Sequence, residues 1–138
     1  MTEKGATVPY SQLVAIANKL LEEADDDIFH LALSMDALEQ PVRDELLVSD
    51  LLNAYQVFYY FFHIEPDILI QERLDLEPAS SLINGLLIEE TDLLEMFFEI
   101  RNIIPVIVIS DGDKVVATFS GKSAYEQGRI FLKNPEYQ

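Results

Sequence analysis

Residues 46–64 read LLVSDLLNAYQVFYYFFHI. Five consecutive aromatics, Phe58 to Phe62, follow Tyr55 by about one helical turn. On a helical projection Leu47, Leu51, Tyr55, Phe58 and Phe62 share one face, while Leu46, Val57, Tyr60 and Ile64 cover another. A helix that is apolar nearly all round has to be covered on most sides. The spacing therefore predicts one long central helix, opened by Pro41 and closed near Ile64 by Pro66, with Leu51, Tyr55, Phe58 and Phe62 buried.

Upstream, Pro9 suits a first helical turn, and Tyr10, Leu13, Ala17, Leu20 and Leu21 carry helical spacing to about Ala24. Asp25, Asp26 and Asp27 follow. Acids oppose the dipole at a helix C-terminus but favour the next helix start, so this run reads as a junction whose last members cap a second helix. Residues 28–39 fit a helix through Ile28, Leu31, Ala32, Met35 and Leu38, and fit strand alternation through Phe29, Leu31, Leu33 and Met35. Their Leu, Ala and Met content favours the helix.

Downstream, residues 67–76 (DILIQERLDL) fit either a short helix or a strand. Ser80 or Ser81 can cap a further helix. Leu82, Ile83, Leu86, Leu87, Leu94, Phe97 and Phe98 extend it to about Arg101, with Gly85 and Glu89-Glu90-Thr91 as points where it can split. The pattern then changes. Residues 105–110 are PVIVIS and residues 114–120 are KVVATFS, separated by Asp111-Gly112-Asp113. β-Branched runs on either side of an Asp-Gly pair predict a β-hairpin. A lone hairpin is marginal in water, so it must pack on a helix or extend a sheet, with residues 28–35 or 68–71 as candidate third strands. A last helix over residues 122–133 uses Tyr125, Ile130, Phe131 and Leu132 and ends at Asn134-Pro135.

The expected fold is α+β. A helical bundle surrounds a central aromatic helix, and a C-terminal β-hairpin and closing helix pack on one end. The 138 residues read as a single domain, with 1–8 a flexible leader, 9–101 an acidic helical part and 102–138 a near-neutral part.

Charge is the strongest global signal. The chain has 25 acids and 9 bases, a net charge of −16. Residues 1–100 hold 21 acids against four bases (−17), and residues 101–138 hold four against five (+1). Such a surface disfavours nucleic acid and anionic membranes, whose phosphates need Lys and Arg, and suits a basic protein partner. The competing reading is that acidity keeps an apolar-rich chain soluble. There is no cysteine, so thiol chemistry and disulfides are excluded. No apolar run follows a basic N-terminus and none is long enough to span a bilayer, which points to a cytoplasmic protein.

Motifs with chemistry are sparse. Ser120, Gly121, Lys122 and Ser123 stand between a predicted strand and helix, as the end of a phosphate loop would. The first glycine of that motif is replaced by Val116, so these four residues are a candidate site for a simple anion only. Asp27 and His30, with Glu95 and Glu99, resemble fragments of a di-metal carboxylate pattern, but His63 has Tyr60 where an acid is required, and no metal is expected. Asp111 and Asp113 lack the further ligands of a calcium loop. No Gly-x-Ser-x-Gly sequence occurs. No catalytic or cofactor residue is assigned. Tyr55, Tyr59, Tyr60 and Phe62 are candidates for lining a pocket or an interface, since one helix places few phenols well in a dry core.

The functional expectation is a non-enzymatic acidic protein that binds a basic partner, as inhibitors, immunity proteins, DNA mimics and chaperones of basic clients do. One alternative is a small-molecule or anion-binding domain or enzyme with a pocket near the central helix and hairpin. The other is a homo-oligomeric structural or regulatory protein, such as a homodimer.

Overall fold

A computed structural model describes residues 8–134. The expected leader, apart from Val8, and the stop at Pro135 lie outside the described residues. Five helices come first: α1 (Tyr10–Ala24), α2 (Ile28–Asp36), α3 (Gln40–Leu47), α4 (Ala54–Phe62) and α5 (Ile68–Leu76). A short 3-10 turn at Ala79–Ile83 leads into four strands, β1 (Leu86–Glu90), β2 (Glu95–Arg101), β3 (Ile104–Asp111) and β4 (Lys114–Ser120). Helix α6 (Ala124–Leu132) closes the described chain. The protein is thus mixed α+β, with an antiparallel sheet in the order β1-β2-β3-β4.

The ambiguous segments are helices, not strands. In α2 the Asp27 carboxylate accepts from the backbone N–H groups of Phe29 and His30 at 3.0 and 3.3 Å, which is the cap its position implies. Segment 68–76 buries Ile70 and Leu74 four residues apart, a helical repeat. Neither supplies a third strand.

Two expectations fail. The long helix over 46–64 is broken at residues 48–53. Ser49 Oγ donates to the Leu46 carbonyl at 2.7 Å and accepts from Leu51 N–H at 3.1 Å, which turns the chain out of α3. Asn53 and Gln56 then form a capping box, each side chain accepting from the other's backbone N–H at 2.9 Å. The break is also held from outside. Ala54 N–H donates to Glu77 O and Ala79 N–H to Leu52 O, around an isolated bridge between Asn53 and Pro78. Leu51 and Tyr55 are consequently half-buried rather than buried, while Phe58 and Phe62 are buried as expected.

The second failure is the helix over 82–101, which is a β-hairpin. Gly85 takes φ +93°, a backbone that side chains resist. Thr91 Oγ1 accepts from Leu93 and Leu94 N–H at 3.3 and 3.0 Å, and this turn reverses the chain between β1 and β2. Along β2 Met96, Phe98 and Ile100 are buried and Glu95, Phe97 and Glu99 are not, a period of two. The expected hairpin β3–β4 is present, and this extra pair extends it to four strands. Register sets Met96, Phe98 and Ile100 beside Ile109, Ile107 and Pro105, so one sheet face is continuously apolar.

Helices α4 and α6 meet that face. The Phe58 ring lies edge-on to Phe62, Phe98 and Tyr125, with centroids 4.9, 5.5 and 4.7 Å away. Gly128 lets α6 approach Ile107 and Met96 closely. Arg129 lies over the Tyr125 ring, 5.6 Å from its centroid, and bonds Asp67 at 3.2 Å and Glu89 at 3.4 Å.

Two of the tyrosines are expected to make folding stability fall at alkaline pH. Tyr60 donates to Asp36 at 2.7 Å; burial, then this hydrogen bond, pushes its pKa up to about 12. Burial does the same to Tyr125, again to about 12. Both phenols hold their protons more tightly folded than at the ordinary value of 10.0. Their contribution is therefore whole below pH ~10 and is lost as pH rises through ~12. The urea midpoint is expected to fall between those values, and Tyr60→Phe with Tyr125→Phe to flatten the fall. An equally steep fall in the double variant contradicts this origin.

Candidate functional site

The α1–α2 junction is built from three aspartates. Asp25 and Asp26 both take left-handed backbone, with φ 49° and 67°, and Asp25 N–H donates to Leu21 O at 3.3 Å. Asp tolerates that region better than most residues, yet two in succession still cost of the order of 1 kcal/mol each. The result is a reversal of direction within three residues that leaves all three carboxylates on one exposed rim.

This rim borders a groove of about 630 Å3. Leu21, Ala24, Ile28 and Leu31 supply its apolar lining from α1 and α2. Asn53, Tyr55 and Gln56 line it from the capped start of α4, and Gln71 and Asp75 from one side of α5. Glu65 enters from the connection between those two helices. Five acidic residues (Asp25, Asp26, Asp27, Glu65 and Asp75) therefore line the groove, and among the described residues no Lys, Arg or His lines it. Tyr55 registers that field: burial, then Glu65 and Asp75, raise its phenol above the ordinary value. A second depression of about 360 Å3 shares Leu21, Asn53, Gln56 and Asp75, and adds Asp50, Leu76 and Glu77.

The arrangement can accept cations on alkyl stems. The stem of a Lys or Arg lies on the apolar lining while its head meets carboxylates and side-chain amides. A concave wall of one charge sign also focuses the field and concentrates counter-ions.

Of the residues picked from sequence, Tyr55 lines the groove. Tyr60 instead bonds Asp36, Phe62 is buried in the core, and Tyr59 leans on His63 with ring centroids 6.0 Å apart. Ser120 ends β4, Gly121, Lys122 and Ser123 connect it to α6, and none of the four lines either depression. Gly121 has φ +89°, and the residue at the cap of α6 is Ser123, its Oγ accepting from Gln127 at 2.9 Å. Lys122 is exposed. Glu95 and Glu99 lie on strand β2, not on a helix. Among the described residues no three or more His, Asp or Glu side chains gather as metal ligands would, and no helix is long and apolar enough to cross a membrane.

The chain matches no protein-family model, no curated protein and no solved structure. Glu65, Gln71 and Asp75 were missed in the sequence because they reach the Asp25–Asp27 rim only through the packing of α5 beside α4. The aspartate run itself was visible, but as a junction.

Proposed function

We propose that this protein is a non-enzymatic acidic interaction protein that engages a basic protein partner in the groove between the α1–α2 junction, α4 and α5. The observation that carries the reading is the groove lining: five acidic residues beside an apolar wall, without a cation among the described residues. The charge of −17 over residues 1–100 supports it, since long-range attraction would steer a basic partner to this part of the chain. The aromatic helix α4 is the central element in this reading. Its buried side anchors it to the sheet, and its capped start presents Asn53, Tyr55 and Gln56 to the partner.

Binding of a labelled Lys- and Arg-rich peptide, followed by fluorescence anisotropy, tests the reading. Rim ion pairs contribute about 0.2–1 kcal/mol each. The combined variant Asp25→Asn, Asp26→Asn, Glu65→Gln and Asp75→Asn is thus expected to weaken binding about tenfold or more at low salt. Moderate salt should weaken the wild-type complex in the same direction. Equal affinity for wild type and variant, or affinity insensitive to salt, overturns it.

A further inference from the structure

Helix α5 exposes three large apolar side chains on nine residues: Ile68 is 72 % exposed, Leu69 77 % and Leu76 84 %. At 100° per residue the helix divides into three arcs. Ile70 and Leu74 point into the core, Gln71 and Asp75 face the groove, and Ile68, Leu69, Glu72 and Leu76 face outward, with exposed Arg73 beyond Leu69 at the edge away from the groove, donating to Leu87 O at 3.3 Å. The outward arc begins where the groove wall ends. Leu69 and Leu76, seven residues apart, lie on one side of α5 about 10 Å apart along its axis. That is the repeat of an apolar seam between two packed helices. Leu76 also lines the depression that contains Asp50, Asp75 and Glu77.

We infer that this apolar ridge and the acidic groove form one composite surface, and that its occupant is a cationic amphipathic helix of the basic partner. The inference rests on the groove reading and adds the partner's form. An apolar ridge bordered on its groove side by carboxylates is matched by an apolar stripe with Lys and Arg along that same side, with a seven-residue repeat to follow Leu69 and Leu76. A basic segment without such a stripe satisfies the groove and leaves the ridge in water. A second copy of this chain fits poorly, because a net charge of −16 sets like charges together.

Two synthetic Leu/Lys peptides of identical composition and about five helical turns discriminate these cases. One has its leucines at seven-residue helical repeats, and the other has them scrambled. Titrated against the full chain, the ordered peptide is expected to bind about tenfold or more tightly than the scrambled one. The Leu69→Ser/Leu76→Ser variant, whose changes are on exposed positions, should keep the wild-type circular dichroism and lose that preference. Equal binding of both peptides, weakened only in the groove variant, overturns the helix inference and leaves the groove reading standing. Failure of both peptides to bind overturns both. A wild-type dimer that becomes monomeric in Leu69→Ser/Leu76→Ser, seen by sedimentation, assigns the ridge to self-association and also overturns the inference.

Discussion

Replacing Phe58 with alanine is expected to cost about 3–5 kcal/mol of folding free energy. Phe58 is fully buried, and its ring touches three other rings from three elements: Phe62 of α4, Phe98 of β2 and Tyr125 of α6. Truncation removes the transfer free energy of the ring and edge-to-face contacts worth about 0.5–1.5 kcal/mol each. It also leaves a cavity that cannot easily collapse, because α6 is already seated against Ile107 and Met96 through Gly128. A domain of this size has about 5–15 kcal/mol in total, so the loss is a large share of it. Urea denaturation measures it as a lower midpoint at unchanged slope. Tyr59→Ala, one residue along and only half-buried, serves as the comparison and should cost much less. Equal losses at the two positions would show that α4 does not enter the core by the side described.

The same helix marks where sequence reasoning succeeds and where it stops. Burial of Phe58 and Phe62 follows from the apolar spacing alone. The break before α4 does not, because Leu51 and Leu52 continue the apolar pattern across it. A local signal was present: Asn53 followed three residues later by Gln56, ahead of an apolar run, is a capping box. The contact that fixes the break, Asn53 against Pro78, joins residues far apart in sequence and leaves no mark on either segment.

Segment 82–101 misleads for a different reason. Leu82, Leu86, Leu94 and Phe98 fit a helical stripe, and Leu, Glu and Met favour a helix intrinsically. Met96, Phe98 and Ile100 fit a strand equally well. The neighbour decides, since β3 offers a β-branched run, Val106 to Ile109, in register with β2. Hairpin β3–β4 was legible because both its runs and its Asp-Gly turn agree. The acidity of the site could be read from composition. Its shape could not, since Glu65 and Asp75 join the Asp25–Asp27 rim only by tertiary packing, and the mixed pattern of DILIQERLDL hides the exposed ridge of α5.

Gly128 is the other position where one substitution should have a large effect. It lies within α6 on backbone that any residue adopts, so replacement by alanine would normally stabilise the helix by about 1 kcal/mol. Here a Cβ would stand 2.7 Å from Ile107 Cγ2 and 2.9 Å from Met96 Sδ. Both neighbours are fully buried, which leaves them little room to move. Overpacking of this kind costs about 1–3 kcal/mol, which outweighs the gain in propensity. Gly128→Ala is thus expected to be destabilising, and Gly128→Val more so, because two further carbons enter the same contact. Ile107→Ala removes the closest atom and is itself destabilising by about 2–5 kcal/mol. If the close approach is the cause, Gly128→Ala combined with Ile107→Ala costs less than the sum of the two single changes, with a coupling of about 0.5–3 kcal/mol. Strict additivity, or a stabilising Gly128→Ala, would mean that α6 sits farther from the sheet than these distances state. Tyr125 would then lose its hold on Phe58, and the loss on truncating that ring would shrink with it.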